Sequence, residues 1–216
     1  MEVTVSASVG DGSCFFDSIA QILRSGGHDA TIQTIRQVVA STVLDADDDA
    51  ATATMLQWRE LAYGALKERD AAMIEEFGHA FVLLDAAYIA SVDVVAGSPA
   101  AGAAAGPAPI SDECRQRLYD VMMTPRYQGE EYALRVLESK LGVRCRVYQT
   151  SSRGGGGSGY WHHGVVGDND SDNDGGSVSP SPKYVCALLH TDGRHYEPMA
   201  FNGDFLFYYH RGLQSS

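Results

Sequence analysis

The sequence predicts an α+β fold, and three observations carry that expectation. Over the first two thirds, apolar residues recur at helical spacing. At Val143 the period changes to alternation, as a strand requires. Beyond it, short apolar runs are separated by turn-forming pairs, Asp192-Gly193 and Asn202-Gly203, which mark a small, mainly antiparallel sheet. Helices segregated from strands along the chain define the α+β class.

The elements follow in order. Val3, Val5, Ala7 and Val9 alternate with polar residues, so Glu2 to Val9 reads as extended. After the turn-like Gly10-Asp11-Gly12-Ser13, residues Phe15, Ile19, Ile22 and Leu23 recur as on a helix from Cys14 to about Arg24, which Gly26-Gly27 stops. A second helix is expected over Thr31 to Leu44, with Ile32, Ile35, Val38 and Val39 on one side. Ala51 to Arg69 and Met73 to Ala90 also read as helical. Ser111 is placed to cap the next helix, with Asp112 and Glu113 favourable against its dipole. Gly129 to Leu141 is amphipathic and ends at Gly142. Strands are then expected over Val143 to Tyr148, Tyr184 to His190, from His195 onward, and over Phe205 to Tyr209.

At 216 residues, 44% of them hydrophobic, the chain fits one domain spanning residues 1–216. A stretch near 97–109, built almost wholly of Gly, Ala, Pro and Ser, is expected to be a flexible connection. The Gly, Ser and Asp-rich stretch near 151–182 is expected to be a mobile insertion, with Tyr160-Trp161-His162-His163 as the part able to dock.

The net charge of -12 disfavours nucleic acid as a partner and suits a basic one. No signal-like leader and no apolar run of membrane-spanning length is seen, so no membrane association and a cytoplasmic (or nuclear) setting are expected. The four cysteines are scattered without a CxxC pair, against a zinc site or disulfide framework. Asp170, Asp172, Asp174 and Gly175 match half of a calcium loop. Ser181 stands where its glutamate belongs, and Pro180 and Pro182 bar the exit helix. No metal is expected, and Cys114, Cys145 and Cys186 read as structural.

Cys14 differs from the other three. It opens a helix behind a small-residue turn, where orphan N–H groups and the helix dipole stabilise a thiolate. The amides of Gly12, Ser13 and Cys14 could face a developing oxyanion. A thiol nucleophile needs an imidazole held by a third polar group. His195 opens a strand after an Asp-Gly turn, and Glu197 shares its face two residues on. On spacing alone, each of these also reads as an ordinary core or strand residue.

Taken together the blocks resemble a known family. Asp11-Gly12-Ser13-Cys14-Phe15-Phe16 is similar to the Asp-Gly-x-Cys signature of the ovarian-tumour (OTU) cysteine proteases. Tyr127-Gln128-Gly129-Glu130-Glu131-Tyr132-Ala133-Leu134 resembles their Trp-Gly-Gly-x-x-Glu-Leu block, and His195-Tyr196-Glu197-Pro198-Met199 their histidine segment, in the same order. The resemblance implies a papain-like fold and a monomeric, cofactor-free thiol deubiquitinase cleaving isopeptide bonds of ubiquitin, polyubiquitin or a ubiquitin-like modifier. It implies Cys14 as nucleophile, His195 as base, Asp11 or Glu197 as third member, and Tyr196 at the substrate. Glu197 stands where the family carries Asn or Asp, and Tyr127-Gln128 replaces Trp-Gly. A catalytically weak ubiquitin-binding module of the same fold is the alternative.

Overall fold

A computed structural model describes residues 2–97, 108–129, 131–150, 160–163, 184–191 and 195–208. The fold is α+β, as expected, and the described residues form two compact units. One unit joins residues 1–39 to 128–216; the other is the intervening 40–127.

The first unit holds the sheet. Its strands are β1 (Val3–Val5), β2 (Val143–Thr150), β3 (Tyr160–His163), β4 (Tyr184–Thr191), β5 (His195–Phe201) and β6 (Leu206–Tyr208). The order is β1-β5-β4-β2-β3, with β6 also on β4. All pairings are antiparallel except β2 with β4, which run parallel with Cys145 opposite Cys186. Alternation puts Ala187, Leu189 and Met199 on one face, packed with Val3, Val5, Tyr148 and Phe201. Cys186 and Leu188 on β4 point to the other face and are also buried.

Two helices of this unit pack on the sheet: α1 (Cys14–Ser25) on β5 and α7 (Glu131–Leu141) on β2. The buried stripe of α1, Phe15, Phe16, Ile19, Ile22 and Leu23, is the one the sequence spacing predicts. Gly27 ends it with φ +82°, a conformation costly for any other residue. Helix α2 (Ile32–Ser41) follows; it is shorter than expected, because Thr42–Leu44 winds as a 3-10 turn.

In the second unit, α3 (Asp49–Glu68) buries Met55, Trp58, Arg59, Ala62 and Ala65. The expected helical stretch from Met73 to Ala90 is divided into α4 (Ala71–Glu76), a 3-10 segment over Gly78–Leu83, and α5 (Ala86–Gly97). Capping decides these breaks. Asp70 accepts from the amides of Ala72 and Met73, and Asp85 from that of Tyr88, so each starts a new helix. Ser111 caps α6 (Asp112–Met122) by accepting from Cys114 N, as expected. Arg115 of α6 is buried and ties the unit together through Val43 O, Asp45 O and Thr52 Oγ1.

Within the stretch expected to be a mobile insertion, Tyr160–His163 pairs with β2 as an edge strand. The remainder of 151–182 lies outside the described residues, as do most of 97–109 and the turn at 192–194.

Candidate active site

The turn before α1 is built by its own side chains. The Asp11 carboxylate accepts from Ser13 N at 3.0 Å, which folds the chain back on itself. Gly12 sits at φ +84°, where a Cβ is disfavoured. Ser13 N-caps the helix, and its carbonyl accepts from Asp17 N at 2.8 Å. Cys14 is therefore the first helical residue, with its thiol at the positive end of the dipole and only 3% exposed. Asp11 is exposed, and its hydrogen bond to Ser13 supports the turn.

Beneath the turn lies Arg36 of α2, a buried cation absent from the expectations. Its Nη2 donates to Gly12 O at 3.3 Å and to Ser13 Oγ at 3.2 Å, and its guanidinium covers the Phe16 ring at 4.1 Å. The planar fork thus grips turn and helix at once. The signal was a charged residue set between the apolar positions Ile35 and Val39.

His195 opens β5, and the next residue of that strand reaches Cys14. Tyr196 N, one residue on, donates to Cys14 Sγ at 3.5 Å across a separation of 182 residues. The sequence blocks singled out at either end of the chain therefore meet. The imidazole is partly exposed, its Nε2 at 3.9 Å from Glu197 Oε1 and 3.3 Å from Ser8 Oγ. Glu197 shares the face of His195, as alternation predicts, but stands beyond hydrogen-bond distance. The Tyr196 ring is packed: it stacks on His190 at 4.4 Å and meets the edge of Phe15 at 5.3 Å.

Ser8 also escaped the sequence reading, because a hydroxyl in an alternating segment reads as the solvent side. Its neighbours fix it. Val9 N donates to Asp17 Oδ2 at 3.1 Å, and Gln21 Nε2 donates to Ala7 O at 3.0 Å, so α1 clamps the segment on both sides. Asp17 and Gln21 are themselves joined at 2.9 Å.

The middle block contributes through Gly129. Its φ is +84°, and a Cβ there would stand 2.7 Å from Phe15 Cγ. Glu130 lies outside the described residues.

The other three cysteines are buried, and none of the four forms a disulfide. The Sγ atoms of Cys145 and Cys186 are 3.1 Å apart. The Cys186 contact, together with burial, holds the Cys145 thiol well above the ordinary range. Among the described residues no three His, Cys, Asp or Glu side chains gather to hold a metal ion. The half-matched calcium loop at Asp170–Asp174 lies outside them.

No protein-family model and no curated protein matches the chain. Among solved structures it is similar to an OTU deubiquitinase from Wolbachia pipientis wMel, at 15% identity and TM-score 0.49, covering 94% of this chain and 90% of that one. It is also similar to an OTU deubiquitinase from the same organism bound to ubiquitin, at 17% identity and TM-score 0.47, covering 92% and 95%.

Proposed function

We propose that the protein is a thiol-dependent deubiquitinase of the OTU type, with Cys14 as nucleophile and His195 as its base. One observation carries the reading: the Tyr196 N–H to Cys14 Sγ hydrogen bond, which joins the cysteine and histidine blocks. A thiol at a helix N-terminus beside a strand-held imidazole is the arrangement that nucleophilic acyl transfer requires. The ordered resemblance of three sequence blocks supplies the substrate class.

In this mechanism His195 takes the Cys14 proton, and the thiolate attacks the C-terminal glycine carbonyl of ubiquitin, forming a C–S bond. The helix α1 terminus and the Gly12 and Cys14 amides stabilise the oxyanion; the Ser13 amide is committed to Asp11. The C–N bond breaks as the imidazolium protonates the departing lysine amine. Water, deprotonated by His195, then hydrolyses the thioester and returns the thiol. The chemistry calls for no cofactor. Ubiquitin or polyubiquitin is the partner, and a basic C-terminal tail suits a chain of net charge -12.

The 3.9 Å gap between Glu197 and His195 favours one alternative, a ubiquitin-binding module of weak activity. Reaction with ubiquitin bearing a C-terminal electrophile, read by intact mass beside Cys14→Ala, separates the two. One adduct in the wild type and none in the variant supports the enzyme. No adduct from folded wild-type protein refutes it.

A further inference from the structure

We infer that Ser8 is the residue that positions His195, holding its imidazole in the Nε2–H tautomer so that Nδ1 is the atom left to exchange a proton with the thiol. The inference rests on the proposed thiol-hydrolase reading and identifies which group orients the base.

The argument is a count of protons. Ser8 Oγ lies 2.5 Å from Tyr196 O and 3.3 Å from His195 Nε2. A carbonyl only accepts, so the single hydroxyl proton of Ser8 is directed to Tyr196 O. Oγ is then an acceptor toward the ring, and Nε2 must carry the hydrogen it accepts. A neutral imidazole protonated on Nε2 presents Nδ1 as its base. The chain runs His195 Nε2–H to Ser8 Oγ–H to Tyr196 O, and Tyr196 is also the residue whose N–H meets Cys14 Sγ.

Neither acidic candidate does this. Asp11 is engaged by Ser13 N, and Glu197 approaches the same Nε2 only to 3.9 Å. Ser8 is moreover held in place from three directions. Asp17 fixes the residue after it and Gln21 the residue before it. The buried Ser18 hydroxyl donates to the same Tyr196 carbonyl at 3.0 Å. A group meant to fix a ring must itself be fixed, and this one is.

The tautomer is read directly from long-range ¹H–¹⁵N correlation spectra of the ¹⁵N-histidine-labelled protein, with His195 assigned by its loss in His195→Ala. The wild type and Ser8→Thr are expected to show Nε2–H. Ser8→Ala is expected to show a mixture of tautomers, whereas Ser18→Ala, which alters the same carbonyl without touching the ring, keeps the wild-type pattern. In hydrolysis of a ubiquitin C-terminal fluorogenic amide, Ser8→Ala should lose about tenfold to a hundredfold in kcat with KM little changed, and Ser8→Thr should recover most of it. A purely structural serine would lower thermal stability and leave the tautomer alone. Nδ1–H in the wild type, or an unchanged tautomer in folded Ser8→Ala, overturns the inference even if ubiquitin is cleaved. Nε2–H that depends on Ser8, in a protein that cleaves no ubiquitin, refutes the substrate reading and upholds the role of Ser8.

Discussion

Gly129 and Phe15 touch so closely that no side chain fits between them: a Cβ on the glycine would lie 2.7 Å from the ring's Cγ. Phe15 is fully buried and directly follows the candidate nucleophile, so it has no room to withdraw. Gly129→Ala adds both this clash and a strained φ of +84°. It should cost about 1–3 kcal/mol, measured by urea unfolding, and displace α1 enough to slow Cys14 alkylation. Wild-type stability in this variant would show that the contact is not tight.

Arg36 should prove as important to the turn before α1 as the turn's own residues. Arg36→Met removes the donors to Gly12 O and Ser13 Oγ and leaves the Ser13 hydroxyl buried, at a cost of about 1–3 kcal/mol. Arg36→Lys keeps the charge and loses the fork, so it should recover stability only in part. Denaturant midpoints for the two variants test the ranking. Equal values would mean that charge alone matters.

His79 makes stability depend on acid. It is buried against Trp58 and Tyr127, and burial pushes its pKa down to about 4 from 6.5. The unfolded chain takes up this proton below pH 6.5, while the native state resists it until about pH 4. Stability therefore falls as pH drops through that window, by up to about 3 kcal/mol at its lower end. His79→Gln should flatten the pH dependence of urea unfolding between pH 7 and 4.5. An unchanged slope would assign the acid sensitivity elsewhere.

The cysteines should differ in reactivity. Cys145 meets Cys186 in the sheet interior, which keeps it protonated. Brief iodoacetamide treatment followed by peptide mapping should find alkylation at Cys14 and none at Cys145 until urea is added. Labelling of native Cys145 would contradict its being held protonated by the Cys186 contact.

Much of this was legible in the sequence because it is local. The turn at Gly10–Ser13, the apolar stripe of α1 and the alternation of β2 each follow from a few neighbouring residues. Cys14 and His195 stand at a helix start and a strand start, but local spacing left both as ordinary residues, and the resemblance of the ordered blocks singled them out. What stayed hidden depends on pairing between distant segments. That β2 runs parallel to β4 is not written in either strand, because period 2 looks the same in either direction. Ser8 gains its role only because β1 pairs with β5, Val5 opposite Met199, which carries the following residues to Tyr196. Arg36 stays hidden because its partners, Gly12 and Ser13, lie outside its own helix.

The joining of β1 to β5 also bears on when the chain can act. Synthesis delivers Cys14 182 residues before Tyr196, and contacts of such sequence separation close late in folding. A nascent chain that has not yet reached β5 therefore carries Cys14 without His195. Under the proposed function, a hydrolase assembled this way stays silent throughout translation. Turnover then serves as its own certificate that β5 has been laid beside β1.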